Sequence, residues 1–152
     1  MALKDDIALL RRLDFFNAFS DDALRMMLFA AERRTIAAGE KLFSKGSPAP
    51  GGFVVTSGAI AMIDEPDGFE LDLVGPGTLI GELALLAASE RSVHAIARED
   101  STLISLPRSL MHRLLKEYPD TAQYLRDQLL ERSIALRDAL QNFLDRSPSN
   151  EL

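Results

Sequence analysis

The 152-residue chain has no cysteine and only two histidines. Without thiolates, iron–sulfur clusters, thiolate zinc sites, cysteine nucleophiles and disulfide frameworks are all excluded. His94 and His112 are too few and too dispersed for a histidine-rich metal centre or a cupin-like metalloenzyme. No apolar run approaches the ~18 residues of a membrane span. The N-terminus MALKDDIALLRRLDFF places acids where a secretory signal needs an unbroken apolar core. A net charge of -6 runs against a general nucleic-acid surface. These absences leave one soluble domain, expected in the cytoplasm, and long enough to bury a core without a staple.

Glycine is also missing from both ends. All nine glycines fall between Gly39 and Gly81, so that window reads as short strands joined by tight turns. The intervening segments KLFS, FVVTS, AIAMID and FELDLV are rich in branched or alternating apolar residues. Phe69, Leu71 and Leu73 alternate with Glu70 and Asp72, the pattern of a half-buried strand. EPDG at 65–68 suits a type I turn, and 93–98 and 102–106 read as returning strands.

The ends are helical. Ile7, Leu10 and Leu13 share one face of a helix over 3–13, and Ser20 caps a second that runs to Ala31. A short helix spans 109–117, and Pro119 opens a long one to about Arg146. The expected fold is mainly β with flanking helices: an antiparallel jelly-roll-like β-roll between N-terminal helices and a long C-terminal helix. No internal repeat or interdomain linker is visible.

Cations are the last conspicuous absence. No Lys or Arg occurs between Ser47 and Glu90, whereas seven acids do, and Arg91 ends the stretch. It follows a Gly81-Glu82 turn and a short apolar helical run. Free backbone N–H groups at such a turn make a small anion site, to which Arg91 would add a bidentate charge and Ser92 a hydroxyl. Glu82 would accept from a sugar hydroxyl beside the phosphate. The plainer readings are a solvated surface arginine and a carboxylate favoured by a helix dipole. Elsewhere no nucleophile–base pair stands out. The Asp pairs at 5–6 and 21–22 read as cap and surface charge, and each histidine as a structural residue, so no catalysis is expected.

The stretch PGTLIGELALLAASERSVHAIA closely resembles the phosphate-binding cassette of cyclic-nucleotide-binding domains, the family found in catabolite activator protein, cyclic-nucleotide-gated channels and cyclic-AMP-dependent kinase regulatory subunits. LDFFNAFSDDALRMMLFAAERRTIAAGEKLFSKGSPAPGGFVVTSGAIAMID resembles the family's helical lead-in and first strands, with Gly39, Gly46 and Gly58 at its turns. The resemblance covers about residues 10–146. It implies a single domain over 1–152: lead-in 1–32, β-roll 33–107 with the cassette at 81–93, and helices over 108–146.

On this resemblance Gly81 and Glu82 meet the ribose, while the amides of Leu83 and Ala84 hold the cyclic phosphate with Arg91 and Ser92. Val93 replaces the family's usual alanine, and Ser92 favours cAMP over cGMP. Arg132 is the candidate lid residue on the last helix; the alternative is that it turns to solvent or bonds Gln128. The family's base-contacting hydroxyls align near Leu136 and Arg137. The implied function is a non-catalytic cyclic-nucleotide sensor needing no cofactor, with a nucleotide-independent protein-interaction module as the alternative.

In the last helix Ala122, Leu125, Leu129, Leu136, Ala139 and Phe143 fall on a heptad seam. A homodimer through that helix explains the stripe, and so does docking on the chain's own barrel. Only 147–152 follow, whereas a helix-turn-helix needs a further ~60 residues, so no DNA binding by this chain alone is expected.

Overall fold

A computed structural model describes residues 2–65, 68–132 and 134–146, with the backbone alone at Ala2 and 129–132. The lead-in is helical. α1 (Ala2–Arg11) buries Leu9 and Leu10, and α2 (Asp21–Ala30) starts where the Ser20 hydroxyl accepts from the Ala23 N–H at 3.1 Å. Between them a 3₁₀ turn (Asp14–Ala18) sets Phe15, Phe16 and Phe19 against one another at centroid distances of 5.2–6.3 Å. All three rings are almost fully buried, each contributing about 1.5–3 kcal/mol of apolar transfer.

Among the described residues ten strands follow: β1 (Glu32–Ile36), β2 (Lys41–Phe43), β3 (Pro48–Ala49), β4 (Gly51–Ser57), β5 (Ile60–Ile63), β6 (Glu70–Val74), β7 (Leu79–Ile80), β8 (Ser89–Glu90), β9 (His94–Ala97) and β10 (Ser101–Pro107). They form antiparallel sheets ordered β1-β10-β4-β7 and β2-β9-β5-β6, plus the pair β3-β8. This is the expected β-roll, with β1, β3, β7 and β8 added to the strands the sequence suggested. The Gly68 N–H donates to Glu65 O at 2.9 Å, as the EPDG turn requires, although Pro66 and Asp67 lie outside the described residues.

Strand periodicity divides the core. On β4 and β10, Phe53, Val55 and Leu103 face the roll interior with Ile36, Ile60 and Ile80, whereas Val54, Ile104 and Leu106 face the helices. Both faces of β4 are therefore covered over 51–55, which is why that part of the strand carries no polar side chain before Thr56 and Ser57.

Three sequence expectations need correction. The alternation in β6 is real, but its apolar side faces out: Phe69, Leu71 and Leu73 are 90%, 60% and 51% exposed. The pairing Ile60↔Val74 and Met62↔Asp72 turns Val74 and Asp72 inward instead. Asp6 is a buried residue rather than a surface charge, ion-paired with Arg33 of β1.

The long C-terminal helix is two. After α3 (Arg108–Glu117) come α4 (Pro119–Arg132) and α5 (Ile134–Arg146). Arg126 Nη1 donates to Gln141 Oε1 at 3.0 Å across fifteen positions, which a straight helix would hold about 22 Å apart. The chain therefore doubles back. Neither Gly nor Pro lies between Pro119 and Arg146 to signal the break. Burial decides it: Ala122 and Leu125 of α4 join Leu136, Ala139 and Leu140 of α5 in the helical core. The described part of the heptad stripe is thus covered by its own chain.

Candidate ligand-binding site

A cavity of about 460 Å³ opens between the two sheets. Gly81, Glu82, Leu83, Ala84, Arg91, Ser92 and Val93, all proposed from sequence, line it together. Arg132 ends α4, and its side chain lies outside the described residues. Leu136 and Arg137 are absent from the cavity wall: Leu136 is buried in the helical core and Arg137 pairs with Asp138 at 2.8 Å.

Arg91 is held by its backbone first. Its N–H donates to Ser47 O at 2.9 Å, its carbonyl accepts from the Gly46 N–H at 2.8 Å, and β3-β8 pairing fixes Glu90 opposite Pro48. The side chain then turns inward and is only 7% exposed. Its guanidinium lies 4.3 Å from the Phe43 ring centroid and 5.5 Å from that of Phe53. Nη2 donates to Gly51 O at 2.8 Å, while Nε has no hydrogen-bond partner among the described residues. Among the described residues no carboxylate pairs with it. Burial pulls its pKa below the ordinary guanidinium value. A buried charge held by one neutral carbonyl and two rings is costly unless an anion reaches it. The solvated-surface reading of Arg91 does not describe this side chain.

The opposite lip is the 3₁₀ turn Leu83–Leu85, with Glu82 at its N-terminal cap position. Its first N–H groups have no acceptor earlier in the turn. Gly81 sits at φ +84°, and a Cβ there would come within 2.6 Å of Arg91 Nη1. Only glycine lets the turn and the guanidinium approach this closely.

Three residues at the site, Phe43, Asp72 and Arg108, were not proposed from sequence, whereas His112 was expected to be structural. Phe43 supplies the ring under Arg91, and Asp72 enters the wall from β6. Arg108 Nη1 donates to Ala49 O at 2.8 Å and Ala84 O at 3.2 Å, tying the turn to β3. His112 bonds Leu86 O through Nε2 at 2.9 Å and stacks on Phe143 of α5 at 4.0 Å. His94 accepts from the Lys45 N–H at 3.1 Å, so each histidine has a structural partner. Among the described residues no cluster of three or more His, Asp or Glu could hold a metal, and no helix is long and apolar enough to cross a membrane.

The sequence profile of the cyclic nucleotide-binding domain family matches residues 33–118, more than half of the chain. The chain belongs to that family. It is 32% identical to a cyclic AMP receptor protein of Thermus thermophilus over 127 residues, covering 82% of this chain and 57% of that one. It is 28% identical to a cAMP-dependent protein kinase regulatory subunit of Yarrowia lipolytica over 81% of this chain and 32% of the relative. The chain thus spans between about a third and somewhat over half of these curated relatives. A solved cyclic nucleotide-binding-like protein from Brucella abortus is 33% identical with a TM-score of 0.68, covering 74% of this chain and 98% of that one. The regulatory domain of Toxoplasma gondii PKA, co-crystallised with cAMP, is 25% identical with a TM-score of 0.71, covering 86% and 51%. The cyclic nucleotide-binding domain resemblance read from the cassette is therefore correct.

Proposed function

We propose that this domain is a non-catalytic sensor of a cyclic nucleotide, cAMP in preference to cGMP. The supporting observation is Arg91: a cation 7% exposed, without an acidic partner among the described residues, lining the cavity beside the N-terminal end of the Leu83–Leu85 turn. A cyclic phosphate supplies the missing anion. Arg91, the Ser92 hydroxyl and the amides of Leu83 and Ala84 hold its oxygens, while Gly81 and Glu82 take the ribose, Glu82 by accepting from the 2′-hydroxyl. Val93 closes the wall behind the phosphate. Arg132 at the end of α4 is the lid residue of this reading, and the ligand acts by binding one placement of the helices better than another.

The domain works in the cytoplasm as a signalling module over 1–152, needing no cofactor or metal. A homodimer through the C-terminal helices would use Tyr124 and Ile134, which stay exposed. Titration calorimetry with cAMP and cGMP tests the reading. Binding by the native chain should weaken roughly 10- to 150-fold in Arg91→Ala, the worth of a charge-assisted bond. Unchanged affinity would remove the mechanism.

A second reading, an interaction module that needs no nucleotide, draws on the outward apolar row Phe69, Leu71 and Leu73. Thermal stability unmoved by either nucleotide would favour it.

A further inference from the structure

Strand β6 exposes Leu71 and Leu73, with Phe69 just before it, while placing the Asp72 carboxylate on the cavity wall. A one-residue slip of register would bury the leucines and expel Asp72. The pairing Met62↔Asp72 instead sets that carboxylate beside Met62 and Val74, on the sheet that faces the cassette. Among the described residues its hydrogen bonding is local, Oδ1 accepting from the Leu73 N–H at 2.9 Å. Among the described residues no cation pairs with it.

Resting on the cyclic-nucleotide reading above, we propose that Asp72 is a specificity-determining residue that reads the edge of the base and favours guanine over adenine. If Arg91, Ser92 and Glu82 take the sugar–phosphate, the base falls to the other wall, where Met62 and Val74 offer apolar contact. An ionised carboxylate only accepts hydrogen bonds. Guanine presents N1–H and the 2-amino group side by side, two parallel donors for two carboxylate oxygens. Adenine presents one amino group flanked by ring nitrogens that repel the second oxygen. Asp72 thus offsets part of the cAMP preference set at Ser92, because the two residues act on different parts of the ligand.

Calorimetry of the full chain with cAMP, cGMP and cIMP, which keeps N1–H but lacks the 2-amino group, provides the test. Asp72→Ala should weaken cGMP roughly tenfold or more, cIMP less, and leave cAMP within about threefold. Asp72→Asn, which keeps one acceptor, should fall between. The exposed position of Asp72 makes loss of folding a minor concern, and an unshifted melting temperature verifies it. Equal losses for all three ligands, a larger loss for cAMP, or no change would overturn the assignment while leaving nucleotide binding intact. Failure of the native chain to bind any of the three would instead overturn the parent reading, and this one with it.

Discussion

The guanidinium of Arg91 lies over the ring of Phe43, 4.3 Å from its centroid, and among the described residues donates only to the carbonyl of Gly51. A cation–π contact of this kind returns about 0.5–2 kcal/mol, less than the several kcal/mol lost in taking an ion out of water. The site therefore carries a charge that weakens the free protein. Arg91→Met, close in volume and apolar, should hold or raise the melting temperature of the free protein while abolishing any shift produced by cAMP. Thermal unfolding with and without ligand measures both. A large loss of stability in the free variant would show that Arg91 is structural.

Gly81 meets two constraints at once, a φ of +84° and a guanidinium where its Cβ would stand. An alanine must adopt the left-handed region at about 1–2 kcal/mol and also displace Arg91. Gly81→Ala is expected to lower stability by that amount and to weaken nucleotide affinity further. Denaturant titration and calorimetry separate the effects. An alanine variant with native affinity would show that the turn does not set the position of Arg91.

Much of this architecture is legible in the chain itself, for physical reasons that can be named. Gly39, Gly46 and Gly58 all have positive φ, so their spacing marks turns. The cassette is legible because its residues lie close in sequence and its backbone needs Gly81. Long-range choices are not. The doubling back between α4 and α5 has no local breaker and follows from the shared burial of Leu125 and Leu140. Asp72 hides within an alternating pattern that does not state which face is inside. Phe43 and Arg108 look ordinary until folding brings them to Arg91 and Ala84, far along the chain.

His112 joins the turn behind the cassette to α5, through Leu86 O on one side and Phe143 on the other. Burial pulls its pKa below the ordinary histidine value, the bond to Leu86 O opposes this, and the charges of Arg108 and Lys116 lower it further. The folded chain thus binds this proton less readily than the unfolded chain does. Between the folded value and the unfolded value near 6.5, the unfolded state holds more protons, so stability rises with pH. The contribution is full above about pH 6.5 and is lost as pH falls through the folded pKa. His112→Gln can still donate to Leu86 O but does not titrate, and its stability curve should be flatter over that range. Chemical denaturation at a series of pH values, from 5 to 8, compares the two chains. A native curve that falls no more steeply than the variant's in the acid half would show that His112 protonation is not coupled to folding. Leu86 follows directly on the Leu83–Leu85 turn, so the same substitution also tests whether acid loosens the cassette: cAMP affinity should decline toward pH 5 in the native chain and less in His112→Gln.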